Sequence, residues 1–335
     1  MTDRFPLLRL PQDALQRALR SMEPLQLIMF SFSSNRAKTL VASINMKSQV
    51  TATISNIFTI NATVVEHLFQ FQFYYHEVEN GAIPIKMATP GIVYLIYTIK
   101  GEAKRYVVPR VMDIPSWFSH IKAIFNCSKI VRLHFFGDVG NFDLDSIRDS
   151  MIQENIHELI VSTQSSDEYN RKIMKTFPYM KNLSLWPTAY ENGKPPGEVL
   201  IQNFCKFHIG IFFHRGNPTT MKLDDILLMN SKHVTFDFSE LTEKDANRFL
   251  KLWTRGNSKL QFFCLRFANK IGVDTVLKGI KFQEIPLELK RFFIGFKDPI
   301  KGGIDIIRRD GTRGTVLFNY GFMRFFVWHD YCKME

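Results

Sequence analysis

One six-residue pattern constrains this chain more than any other feature: apolar-x-x-apolar-x-apolar, returning at near-constant intervals from residue 130 onward. It occurs at Ile130/Leu133/Phe135, Ile156/Leu159/Val161, Met180/Leu183/Leu185, Leu260/Phe263/Leu265 and Leu289/Phe292/Ile294, and without its first position at Ile209/Ile211 and Val234/Phe236. With residues 133, 159, 183, 209, 234, 263 and 292 set equivalent, the steps are 26, 24, 26, 25, 29 and 29 residues. Alternation inside each copy reads as a strand, and the spacing leaves room for one helix before the next. Each unit then buries its apolar face only against its neighbours, so the array is expected to stack into a curved parallel sheet with atypical ends.

All six steps fall in the window of roughly 20–29 residues of leucine-rich repeats, but the Asn expected past each strand is missing, so the array is expected to be degenerate. The clearest intervening helix runs over residues 243–254. Thr242 and Asp245 form its capping pair, Ala246, Phe249, Leu250 and Trp253 face inward, and Gly256 ends it. Beyond the array, residues 304–308, an Asp310-Gly311 turn and residues 315–318 read as a hairpin, followed by a strand over 322–328 that caps the sheet.

Ahead of the array, residues 53–65, 69–75, 92–99 and 106–108 are apolar and β-branched runs, parted by turn chemistry at Glu79-Asn80-Gly81 and Lys100-Gly101-Glu102, and read as antiparallel strands. Pro115 opens a helix with Trp117, Phe118, Ile121, Ile124 and Phe125 on one face. At 335 residues the chain is long enough for about two domains. The expected architecture is mixed α+β and α/β: a helical segment over 1–48, then 49–335, made of a β-rich region (49–110), a strand/helix array (111–300) and terminal strands (301–330).

Half of the forty residues from Phe5 to Ile44 are apolar. The first helix opens at Pro11 and carries Leu15, Ala18, Leu19 and Met22 on one face. Pro24 opens the second, apolar almost all round, and Ser33-Ser34 cap a third that carries Ala37, Leu40, Val41 and Ile44 inward. Three short helices cannot enclose so many large side chains. Either the rest of the chain covers the surplus or another protein does, and on the second reading four or five Leu, Met or Phe side chains, at about 1.5–3 kcal/mol each, anchor a complex.

Leu10-Pro11-Gln12-Asp13-Ala14-Leu15-Gln16-Arg17-Ala18-Leu19, followed by Met22, Glu23-Pro24-Leu25, Leu27 and Ser33-Ser34, resembles an F-box; where many F-boxes have a Trp after the serine turn, this chain has Arg36-Ala37-Lys38. The stretch Leu241-Thr242-Glu243-Lys244-Asp245-Ala246-Asn247-Arg248-Phe249-Leu250-Lys251-Leu252-Trp253, with Val276-Leu277-Lys278-Gly279-Ile280 and Asp305-Ile306-Ile307-Arg308-Arg309-Asp310-Gly311-Thr312, resembles the F-box associated domain, type 2, of the nematode F-box family. The resemblance implies a non-catalytic adaptor of a Skp–cullin–F-box ubiquitin ligase. Leu10, Pro11, Leu15, Leu19, Met22, Leu25 and Leu27 are the residues it implies for binding the Skp-type linker and, through it, cullin; the rest of the chain presents a target protein whose docking residues are not named by the sequence.

Composition bounds the rivals. No apolar stretch exceeds Ile92–Tyr97, too short to cross a membrane as a helix, and no leader-like segment is present, so an intracellular protein of the cytoplasm or nucleus is expected. Without a secretory route, the sequons at Asn61, Asn126 and Asn182 carry no weight. Cys127, Cys205, Cys264 and Cys332 are too far apart for a tetrahedral zinc pattern and read as buried free thiols. The net charge of +11 and 31 phenylalanines raise the alternative of a basic nucleic-acid-binding protein, but the cations are interleaved with acids and most Phe follow the core pattern. Nucleophile elbow, phosphate-loop, HExxH and GxGxxG motifs are all missing, so no catalytic site and no cofactor are expected. The pairs His67/His76 and His208/His214, and the cluster Asp138, Asp143, Asp145 and Asp149, are read as strand, surface and helix-start residues rather than metal ligands.

Overall fold

The structure, a computed structural model, describes residues 7–75, 84–137, 139, 142–151, 154, 156–163, 165–190, 193–210, 220–237, 240–256, 259–267, 271–319, 321–330 and 333–334. The chain divides into two compact units, the first running to Leu159 with Lys175–Phe177, the second comprising Ile160–Met174 and everything from Pro178. The Glu79-Asn80-Gly81 turn, Ile211, His76, His214, Asp138 and Cys332 lie outside the described residues.

The first unit opens with three helices, α1 (Gln12–Ser21), α2 (Pro24–Ser31) and α3 (Asn35–Ser43). Pro11 sits at the N-cap of α1, Pro24 is the first residue of α2, and Ser34 Oγ accepts from the Ala37 N–H at 3.0 Å to cap α3. Five antiparallel strands follow: β1 (Gln49–Ile54), β2 (Phe58–Val64), β3 (His67–Tyr74), β4 (Ile92–Ile99) and β5 (Glu102–Val107). The run over 53–65, read as one strand, is broken by a turn in which Ser55 N–H donates to the Ile57 carbonyl, so it ends β1 and forms β2. Lys100 and Gly101 turn β4 into β5, both at positive φ as a two-residue hairpin loop requires. Helix α4 (Ile114–Ile124), β6 (Ile130–Gly137) and α5 (Leu144–Met151) complete the unit, with β6 parallel to β1.

Strand alternation directs Val50, Ala52, Ile54, Phe58, Ile60, Phe69, Phe71 and Phe73 inward. The apolar face of α4 meets the Phe residues of that set: Trp117 lies 5.9 Å from Phe71 and 5.3 Å from Phe73, and Phe118 lies 6.1 Å from Phe58.

The second unit takes most of β7 (Glu158–Thr163) and of α6 (Asp167–Thr176), then strings β8 (Asn182–Leu185), α7 (Gly197–Leu200), β9 (Lys206–Ile209), α8 (Leu223–Leu228), β10 (His233–Phe236), α9 (Glu243–Arg255), β11 (Phe262–Arg266) and α10 (Val273–Leu277). Strands β8, β9, β10 and β11 pair in parallel in that order, with Leu183, Phe207, Val234 and Phe263 in register. Phe207 therefore replaces Ile209 as the equivalent position; the two share a face, and a period of two cannot separate them. The seventh copy, at Leu289/Phe292/Ile294, is also corrected. Leu289 and Phe292 belong to β12 (Phe282–Phe293), which runs antiparallel to β13 (Ile300–Ile307), while Ile294 lies just past its end. A meander continues through β14 (Arg313–Asn319) and β15 (Phe322–Trp328), which closes on β11, and a short β16 (Lys333–Met334) pairs with β12. The Asp310-Gly311 turn is as expected, with Gly311 at φ +86°. Among the described residues no helix is long and apolar enough to cross a membrane.

Candidate protein-docking face

Leu15, Leu19 and Leu27, expected to meet a linker, are 3%, 0% and 4% exposed within their own chain. Leu10, Met22 and Leu25 are half-buried and Pro11 is exposed. No large apolar side chain of the described box is fully exposed. The residues expected to meet the linker therefore differ in what they leave exposed: Leu15, Leu19 and Leu27 are buried within the chain, whereas Leu10, Met22 and Leu25 keep part of their surface.

The cover is specific. Phe32 stacks on His120 of α4 at 4.5 Å between ring centres and lies 5.3 Å from Trp117 and 6.3 Å from Phe71 of β3. Ser31 Oγ donates to the Ile28 carbonyl at 2.6 Å and so spends its one hydrogen. The 2.8 Å contact between Ser31 Oγ and His120 Nε2 therefore has the ring as donor. Half-buried apolar side chains of the box, among them Leu10, Met22, Leu25, Met29, Phe30 and Leu40, keep part of their surface reachable, and Pro11 is exposed. Met29, Phe30 and Leu40 were not singled out as contacts, because an apolar run gives no sign of which side its own chain covers.

Burial pushes the His120 imidazole down to about 4, helped by Lys38 and Arg110. Its unfolded counterpart titrates near 6.5. Between these values the unfolded chain binds a proton that the folded one refuses, so stability is whole above about pH 6.5 and falls as the pH drops toward 4. His134, likewise down to about 4 and mainly by burial, adds in the same direction. For His120 alone the loss is about 3 kcal/mol. Urea unfolding at pH 7.5 and 4.5 checks this: wild type should lose more stability across the interval than His120→Gln, by about that amount, and equal losses would refute it.

Those of the residues weighed as metal ligands that the structure describes have other partners. His67 Nδ1 bonds the Tyr97 hydroxyl at 2.6 Å, and His208 Nε2 pairs with Asp237 Oδ2 at 2.9 Å. Arg148 bridges Asp145 and Asp149 at 2.9 and 3.0 Å, and Asp143 accepts from the Asp145 N–H at the start of α5. Among the described residues no group of three or more His, Cys, Asp or Glu is placed to hold a metal ion. Of the cysteines read as buried, Cys264 is buried, Cys127 half-buried and Cys205 exposed. Phe58, Phe69, Phe71, Phe73, Phe207, Phe236 and Phe263 are fully buried and cannot stack on bases.

Comparison with known families matches both ends of this description. The F-box domain family matches residues 7–49, and the F-box associated family matches residues 196–265. The first match spans the N-terminal helices and the second lies within the second unit, the two regions where the motifs resembled these families. It is also similar to a Caenorhabditis elegans protein, F-box associated domain-containing protein sdz-33, with 22% identity over 318 residues, 94% of either chain.

Proposed function

We propose that the protein is a non-catalytic substrate-recognition adaptor of a Skp–cullin–F-box ubiquitin ligase. The F-box match over residues 7–49 carries this reading. The α1–α2 edge, with Leu10, Pro11, Met22 and Leu25, holds the linker and through it the cullin. The second unit holds a target protein. Such an adaptor works by raising the local concentration of target lysines, which needs two binding faces and no reacting side chain. For the second unit we favour a degenerate leucine-rich-repeat-like array over β7–β11; the in-register parallel strands and intervening helices support it.

Capture of the full chain by a Skp-type linker tests the proposal. Leu15→Asp with Leu19→Asp does not discriminate, because both side chains lie in the chain's own core. Met22→Asp with Leu25→Asp does. Each removes part of a contact worth about 1.5–3 kcal/mol when fully buried, so the pair is expected to weaken capture roughly 100-fold with the thermal transition retained. Undiminished capture would show that this edge is not the docking face. Salt separates the nucleic-acid alternative: phosphate binding falls steeply between about 50 and 200 mM, whereas an apolar contact hardly changes.

A further inference from the structure

In the second unit a cavity of about 330 Å³ opens where α8 and α9 end beside β10. Ile226, Leu227, Phe249 and Leu252 give it apolar walls, and Leu227 and Leu252 stand at 48% and 42% exposure. Two of its lining residues, Ser231 and Trp253, are 2% and 3% exposed, yet Ser231 Oγ and Trp253 Nε1 have no hydrogen-bond partner. Buried polar groups are nearly always paired, so two orphans beside one cavity mark groups whose partner comes from outside. The indole cannot easily turn to find one within the chain. Its ring stands edge-on to Phe325 at 4.8 Å, with the Arg308 guanidinium 5.4 Å away.

The chemistry narrows the occupant. An indole N–H only donates and needs an acceptor, while a hydroxyl serves either way. The carbonyls at the ends of α8 and α9 are largely served already, Ile226 by the Met229 N–H, Leu252 by the Gly256 N–H and Thr254 by the Arg309 N–H, which leaves the indole N–H and the hydroxyl as the groups to be met. Lys259 is the single charged residue on the wall, and the negative ends of two helices oppose an anion there. An apolar group flanked by both C=O and N–H, without net charge, is a residue in an extended peptide.

We propose that this cavity receives one apolar side chain of an extended target segment, whose adjoining peptide group bonds Trp253 Nε1–H and Ser231 Oγ. It rests on the adaptor reading for the identity of its ligand as a target. N-acetyl-leucine methylamide is the probe, titrated into the full chain labelled with ¹⁵N at the indoles, with Trp253→Phe assigning the Trp253 signal. The expected result is a saturable shift of that signal with a dissociation constant on the order of 1 mM, the range of a ligand this small. Ser231→Met, which fills the cavity, and Leu252→Asp, on its exposed rim, should each weaken binding at least about tenfold, with the other indole signals in place. Absence of a saturable shift in the folded protein, or unchanged affinity in both variants, overturns the proposal and leaves the cavity to water. Linker capture is scored separately on the same proteins and should be unchanged by either variant. Its failure in wild type strikes the adaptor reading, while saturable binding upholds the peptide site.

Discussion

Asp305→Ala is expected to cost about 3–5 kcal/mol in the second unit, the size of effect seen when one partner of a buried ion pair is removed. Asp305 lies in β13 at 4% exposure. Its carboxylate takes two bonds from Arg291, at 3.1 and 3.0 Å, and one from the Thr315 hydroxyl at 2.6 Å. Thr315 in turn accepts from Trp328 Nε1 at 2.7 Å, and the Arg291 guanidinium lies 4.9 Å from the Trp328 ring. Four strands, β12 to β15, thus meet at one charged atom group. Removing it leaves the guanidinium, whose side chain is only 14% exposed, beside the Trp328 ring with the Gly302 carbonyl at 3.4 Å as its remaining acceptor. Asp305→Asn keeps the shape without the charge and should recover less than half of the loss. Replacing both partners, Asp305→Leu with Arg291→Met, should recover most of it, because the desolvation cost disappears along with the attraction. Urea unfolding followed by Trp fluorescence reads all three. A loss under about 1 kcal/mol for Asp305→Ala would mean that the network is solvated and dispensable.

Part of this network was legible beforehand. The Asp305–Thr312 stretch stood out by resemblance, and the Asp310-Gly311 turn by its chemistry, since a turn signal is local. Helix starts were equally plain: Pro11 and Pro24 act through their own fixed φ and missing N–H, Ser34 and Thr242 by accepting from the backbone N–H three residues on, and each marks the helix observed. The repeat showed its strands but not their phase or partners. Phe207 and Ile209 point the same way, so only the observed register with Leu183 selects Phe207. Leu289 and Phe292 carry the array's spacing, yet whether a strand runs parallel or antiparallel depends on where the chain goes next, and here it turns straight back into β13. Least legible was the docking face. How the end of α2 is covered depends on side chains far along the chain, since Ser31 and His120 meet across 89 residues. The two orphaned atoms of the cavity likewise have no sequence signature, because Ser and Trp are ordinary residues at such positions.

That long-range cover makes Trp117 the second site of large effect. Trp117→Ala should destabilise the first unit by about 3–5 kcal/mol, the range for emptying an aromatic site in a packed core. The side chain is fully buried at the centre of Phe32, Phe71 and Phe73, all with ring centres 5.3–5.9 Å away. Phe32 follows directly after α2, whereas Phe71 and Phe73 belong to β3, so one indole ties the N-terminal helices to the sheet. Trp117 Nε1 has no partner, so its polar atom adds nothing to this role. Trp117→Phe gives up ring area but also removes an unpaired buried donor, and the two changes partly cancel. It is expected to cost less than half as much as the alanine. If polar bonding rather than aromatic volume held the helices down, Phe would be as harmful as Ala, and that outcome would refute the assignment. Hydrogen exchange locates the damage: amides of α2 and α3 should lose protection in Trp117→Ala together with those of β3, because the tie runs both ways.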